Sequence, residues 1–156
     1  MPGGHCVNEH HGEPTTVLVG GAETGGKLAL LEVRVGRDMV LPVHLHHWDD
    51  EIVYVLEGEV TFYLDGERRP GPAGTCVLLP RGSEHSYSVE SAEARLLVVV
   101  APPGIEEFYG EQCRSGTETG PDLERLVTLG ARYGVEVTGP APEPGRPNGP
   151  IPVRRV

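Results

Sequence analysis

The sequence predicts an all-β fold, a sandwich or closed barrel of about eight short strands followed by one or two short helices. Two observations carry that prediction. Between Thr15 and about Val100, apolar or alternating runs of strand length recur at regular spacing, and turn residues divide them. A helical apolar period appears only afterwards, in GPDLERLVTLGARYGVEV.

Taken in order, the predicted strands cover 16–19, 28–35, 39–46, 52–56, 60–64, 75–79, 85–89 and 96–100. They are rich in Val, Leu and Tyr, side chains that suit a pleated, half-buried surface. Their separators are GGAETGGK, Glu57-Gly58, Asp65-Gly66, RRPGPAG and PRGS. Asp65-Gly66 between alternating runs marks a hairpin, because a type I′ turn needs positive φ at both central residues. In the late helix Leu123, Leu126 and Val127 share a face that Ala131 continues, with Pro121 in the first turn and Gly134 as the C-terminal cap. Gly130 weakens this helix by up to ~1 kcal/mol relative to Ala. A shorter helical turn is expected over 105–109, and both helices should cover the outside of the sheets.

A chain of 156 residues fits one domain with its own core. The domain plan is a flexible leader over 1–14, a β-domain with its helix over 15–138, and a mobile tail over 139–156, where prolines crowd GPAPEPGRPNGPIPVRRV. The formal charge of -10 excludes nucleic acid as an expected partner, since each phosphate contact would meet repulsion. It also disfavours an anionic membrane surface, and the longest apolar run, 96–101, is strand-sized. MPGGHCVNEHHGEP has neither a basic nor an apolar signal region, so a cytoplasmic location is expected. The three cysteines Cys6, Cys76 and Cys113 fit reduced thiols, and Cys76, alternating with apolar neighbours, reads as a small buried hydrophobe.

The chemistry concentrates in PVHLHHWDDEIVYVLEG and GTCVLLPRGSEHSYSV. Side chains alternate along a strand, so His44 and His46 point to one side, close enough for one ion to bridge. Glu51 re-enters the sheet after a turn or bulge, and His85 follows a Pro-Gly turn at the start of another strand. Three neutral imidazoles and one carboxylate suit a first-row divalent ion with positions left open for water or substrate. That donor set accepts Fe, Ni, Mn, Co, Cu or Zn and does not choose among them. His47 should face away from the site; Asp49 and Asp50 read as solvated turn residues; Arg81 and Glu84 read as surface. Tyr54, Phe62, Tyr87 and Val89 are the candidates for lining a pocket. His5, His10 and His11 lie in the leader.

The two segments match the two motifs of the cupin superfamily. His44-Leu45-His46, Glu51 and Gly58 stand at the spacing of the first; Gly74, Pro80, Gly82 and His85 stand at that of the second. The looser likeness, to small single-barrel cupins similar to quercetin dioxygenases, runs from about Val17 to Tyr133. Two positions depart from the family pattern, Asp38 for a glycine and Val89 for an asparagine. The resemblance implies a single jelly-roll barrel, metal ligation by His44, His46, Glu51 and His85, and Glu51 as a general base. It implies an enzyme acting on a small-molecule substrate, first of all a quercetinase-like dioxygenase. The alternatives are a non-redox cyclase or isomerase of polyketide-type metabolism, or a binding protein without turnover. A homodimer is implied as well, through first strands or terminal segments that cover sheet edges.

Overall fold

The computed structural model describes residues 15–39, 41–114 and 123–143. The leader over 1–14 with His5, Cys6, His10 and His11, Pro121, the tail from 144 on, and the side chains of Cys113, Leu123 and Leu126 lie outside the described residues.

The elements are β1 (Thr15–Val19), β2 (Ala29–Gly36), β3 (Val43–His46), β4 (Asp50–Glu57), β5 (Glu59–Leu64), β6 (Glu67–Pro72), β7 (Cys76–Leu79), β8 (His85–Val89), β9 (Glu93–Ala101), α1 (Ile105–Arg114), α2 (Leu123–Ala131) and β10 (Val135–Gly139). They build two five-stranded sheets, ordered β1-β2-β9-β4-β7 and β10-β3-β8-β5-β6. The paired strands run antiparallel. Period-2 alternation explains why the sheets meet face to face. Leu31, Val33 and Val35 of β2, Val53 and Val55 of β4, and Leu96, Val98 and Val100 of β9 are buried. Val60 and Phe62 of β5 and Val89 of β8 join the same core. Each fully buried Val, Leu or Phe contributes about 1.5–3 kcal/mol of transfer free energy, so this apolar layer is the main force closing the two sheets.

Eight of the ten strands coincide with predicted ones, although β3 begins at Val43 rather than at 39. The other two were hidden by their composition. β6, ERRPGP, reads as a proline-rich turn, yet it pairs with β5 from Glu67↔Leu64 to Pro72↔Glu59. It can do so because it is the outermost strand, where a proline that donates nothing is tolerated. Gly71 within it is buried against Phe62, whose ring carbon Cε2 lies 2.5 Å from where a Cβ would stand. β10 lies just past the predicted Gly134 cap, where no element was expected. α2 stops at Ala131, Gly134 takes φ +77°, and the chain pairs with β3. Residues 139–143, expected to open the mobile tail, continue from β10 to β5, where the Tyr63 hydroxyl donates to the Glu143 carbonyl at 3.4 Å.

α1 is longer than the turn expected over 105–109 and buries Ile105 and Phe108. α1 and the turn after α2 are tied by Glu111, which accepts from Tyr133 Oη at 2.5 Å and Arg132 Nη1 at 3.1 Å. Among the described residues no helix is long and apolar enough to cross a membrane.

Candidate metal centre

The two predicted segments meet inside one end of the sheet pair. His44 of β3 stands opposite His85 of β8 in the strand register. β10 flanks β3 on its other side, pairing Val135 with His46 and Val137 with His44. The loop after β3 sends His47 and Trp48 outward and Asp49 inward, and β4 then starts with Glu51 facing the core. His46, Glu51 and His85 are 4%, 7% and 2% exposed.

Ring centroids of His44 and His85 are 4.5 Å apart, those of His44 and His46 5.3 Å, and those of His46 and His85 5.2 Å. One nitrogen from each imidazole falls within 4.8 Å of the others. Glu51 Oε2 lies 3.2 Å from His85 Nε2 and 3.7 Å from His46 Nε2.

The outer nitrogens decide which atoms are free. His44 Nδ1 lies 2.8 Å from the Pro42 carbonyl, His46 Nδ1 2.8 Å from Asp49 Oδ2, and His85 Nδ1 3.0 Å from the Ser83 carbonyl. A carbonyl oxygen can only accept, so Nδ1 carries the proton in His44 and His85, and the Asp49 carboxylate draws the same tautomer from His46. In each neutral ring the Nε2 lone pair is then free. His85 Nε2 is buried without a hydrogen-bond partner among the described residues, which is costly unless a cation takes its lone pair.

Electrostatics agree with the fit of a cation at His44 and Glu51. Burial, aided by the neighbouring His85, lowers His44 from 6.5 to about 4, so its lone pair is available at neutral pH. Burial would raise Glu51, but its closeness to His85 first of all, and then to His46 and His44, outweighs it and holds the carboxyl at about 2. For His46, burial pushes downward, while the Asp49 hydrogen bond and the Glu51 charge prevail and raise it above 6.5.

Asp49 is the residue the sequence reading missed. It is 4% exposed rather than a solvated turn residue, because the group its carboxylate meets, His46 Nδ1, lies on the inside of the loop. A run of two aspartates before a glutamate carries no signal of which one turns inward. Asp49→Asn should weaken metal affinity about 10–100-fold while the fold persists, as measured by chelator competition. Unchanged affinity would mean that Asp49 does no more than fill the loop.

Asp50 does what was expected of a surface turn residue and also joins the two motifs. Its carboxylate accepts from Arg81 N at 2.9 Å, Nε at 3.2 Å and Nη2 at 3.0 Å. Gly82 N donates to the His46 carbonyl at 2.8 Å, so the turn before His85 is pinned to the strand that carries His46. His47 is exposed and lies 2.7 Å from Glu136 Oε2 of β10. Trp48, 57% exposed, leans on Gly134 so closely that a Cβ there would stand 2.6 Å from the indole.

Of the four candidate pocket residues, Phe62 and Val89 are core, at 0% and 2% exposure. Tyr87 is partly buried and packs edge-on against Phe62 at 6.2 Å between centroids. Tyr54 is a correction: Glu51, Val53 and Val55 take the inward positions of β4, so Tyr54 is 41% exposed on the outer face. Cys76 is exposed for the same reason, since Val77 and Leu79 take the inward positions of β7.

Comparison with known proteins agrees with this architecture. The family model described as Cupin domain matches residues 30–100. Quercetin 2,3-dioxygenase of Bacillus subtilis is 30% identical over 94 residues, which are 60% of this chain and 28% of that one. Polyketide synthase CurC of Streptomyces cyaneus is 34% identical over 89 residues, 56% of this chain and 55% of that one. Among solved structures, the polyketide cyclase RemF from Streptomyces resistomycificus superposes with a TM-score of 0.52 at 26% identity, covering 64% of this chain and 73% of that one. The chain thus spans about half or less of the length of the two curated relatives.

Proposed function

We propose, from the premise that this chain is a small member of the cupin superfamily, that it is a metal-dependent enzyme acting on a small organic molecule. The reaction we assign is a quercetinase-like dioxygenation at a centre held by His44, His46, Glu51 and His85. The observation that carries this reading is the gathering of three imidazoles, one nitrogen of each within 4.8 Å of the others, with the buried Glu51 carboxylate beside His46 and His85. The similarity to a quercetin dioxygenase over the barrel supports the choice of reaction. A bound divalent ion would supply Lewis-acid polarisation of a substrate oxygen and, if redox-active, electrons for dioxygen chemistry.

The chain's own residues do the rest. The imidazoles, fixed through Pro42, Asp49 and Ser83, hold their Nε2 atoms in place before substrate arrives. Glu51, held at about 2, stays ionised across the working pH range and balances positive charge in the site. Its Oε2 is also the proton acceptor for a substrate hydroxyl. Burial of Glu51 and His85 keeps bulk water from these contacts.

A second reading has its own support. CurC and RemF, relatives nearer this chain in length, come from polyketide metabolism. The same centre would then serve a non-redox cyclisation or isomerisation of a β-dicarbonyl substrate, with Glu51 again accepting the proton. Elemental analysis of protein purified without air, followed by oxygen uptake with flavonol and β-dicarbonyl substrates, separates the two. Near-stoichiometric metal with substrate-dependent oxygen consumption is the expected result. Conversion without oxygen consumption would move the assignment to the cyclase, and absence of metal would overturn both.

A further inference from the structure

A cation on the inner face of a sheet needs a reason, because arginine seldom turns toward a core unless something pairs with it there. Among the described strand residues, Arg69 is the one Lys or Arg on an inner face. Arg34 and Arg95 stand opposite each other on the outer side of the first sheet, between inward-facing neighbours. Arg68 lies outside the second sheet, 4.8 Å from the Tyr63 ring centroid. Register fixes the facing of Arg69: it stands opposite Phe62, a core residue at 0% exposure, and Phe62 stands opposite Tyr87. The adjoining row runs Glu67, Leu64, His85, His44. Arg69 Nη2 reaches back to Glu67 Oε2 at 3.4 Å, which brings the guanidinium toward the histidine row. Strands about 4.8 Å apart set that edge two strands, roughly 10 Å, from His85.

Water reaches this part of the inner face. Leu64 and His44 sit on interior strands and are partly exposed, whereas Val60, Val89 and Gly71, two rows deeper than His85, are buried. The Arg69 and Glu67 side chains are 40% and 32% exposed. The Glu67 contact is long and engages one of the five guanidinium donors. Among the described residues the guanidinium makes no other hydrogen bond. An inward charge can also guard a sheet edge against other strands. β6 already has such a guard, since Pro70 and Pro72 remove two of its donors. We propose that Arg69 binds a carboxylate of the substrate, so that the centre acts on organic anions. The inference rests on the metal-dependent reading above and adds a substrate class to it. A chain that carries -10 repels anions, and a planar fork placed beside the histidines reverses that locally. The substrate carboxylate takes the fork in place of Glu67, while the other end of the molecule meets the imidazoles and Glu51.

Calorimetry on the metal-loaded chain with acetylacetone, succinylacetone and the methyl ester of succinylacetone tests the assignment. All three carry the same diketone, and only succinylacetone carries an acid. The acid should bind about tenfold or more tighter than its ester. Arg69→Met should erase that preference with metal content unchanged. An arginine that only guards the edge or fills space would change acid and ester alike. Glu67→Gln, which removes the competing carboxylate, should widen the preference, and this readout stands even if Arg69→Met fails to fold. Equal affinities for acid and ester, or a preference that survives Arg69→Met or is unmoved by Glu67→Gln, would overturn the role of Arg69. Bound acetylacetone in the same experiment would show that the metal centre itself stands. Failure of all three probes to bind would overturn the metal-dependent reading and this inference with it.

Discussion

His46→Ala should strip the centre of its metal and destabilise the metal-free chain at the same time. Loss of one imidazole from the donor set should cost affinity beyond the ~100-fold that limits outer partners. The second effect comes from Asp49. Its carboxylate is 4% exposed and meets His46 Nδ1 at 2.8 Å; without that ring it is left buried and unpaired. Removing one member of a buried pair costs about 3–5 kcal/mol. Metal content after dialysis and urea unfolding in the presence of chelator measure the two effects separately. Glu51→Gln is the contrast, because it keeps the shape and loses the charge: metal should weaken with a smaller change in the metal-free protein. His47→Ala should alter metal content little, since its ring is exposed and turned to Glu136. Full metal occupancy in His46→Ala would show that the centre lies elsewhere.

The layout of this site was legible in the sequence because its spacing is tied to strand geometry. His44 and His46 share a face by period-2 alternation, and Gly82 and His85 sit at fixed offsets around a turn, so the two motifs could be placed before any coordinates. The same alternation ran into difficulty where the phase was unknown. Nothing in EIVYVLE says whether Glu51 or Ile52 points inward without the ligand argument. Once Glu51 is inside, Tyr54 must be outside, a consequence that the reading of Tyr54 as pocket lining overlooked. β6 and β10 escaped for tertiary reasons. An edge position lets ERRPGP be a strand despite two prolines, and pairing with β3 makes a strand of VEVTG, a short segment beyond the helix cap. Asp49 escaped because a carboxylate turns inward only if a donor waits there, and that donor is supplied by the folded loop.

The metal-free protein should be most stable near neutral pH, with the two sides of that maximum set by different histidines. His44 is held at about 4 against 6.5 when unfolded. Between those values the unfolded chain binds the extra proton, so stability falls as pH drops from 6.5 toward 4, by at most on the order of 3 kcal/mol. The groups facing His44 are His85, His46 and Glu51. Glu51, at about 2 folded and 4.5 unfolded, adds a further loss as pH falls below 4.5. His46 works the other way. Its raised value means that its contribution is complete below 6.5 and is lost as pH rises through the folded value. Chelator-treated protein should therefore lose stability on both sides of the maximum. With metal bound the alkaline side should reverse, because the ion competes with protons for Nε2 and gains affinity as pH rises. Urea midpoints from pH 4 to 9, with and without chelator, measure both arms. The variant His44→Gln should flatten the acid arm and leave the alkaline arm in place. An acid arm that persists in this variant would assign the loss to carboxylates elsewhere in the chain. An alkaline arm that is the same with and without chelator would mean that His46 does not bind the ion.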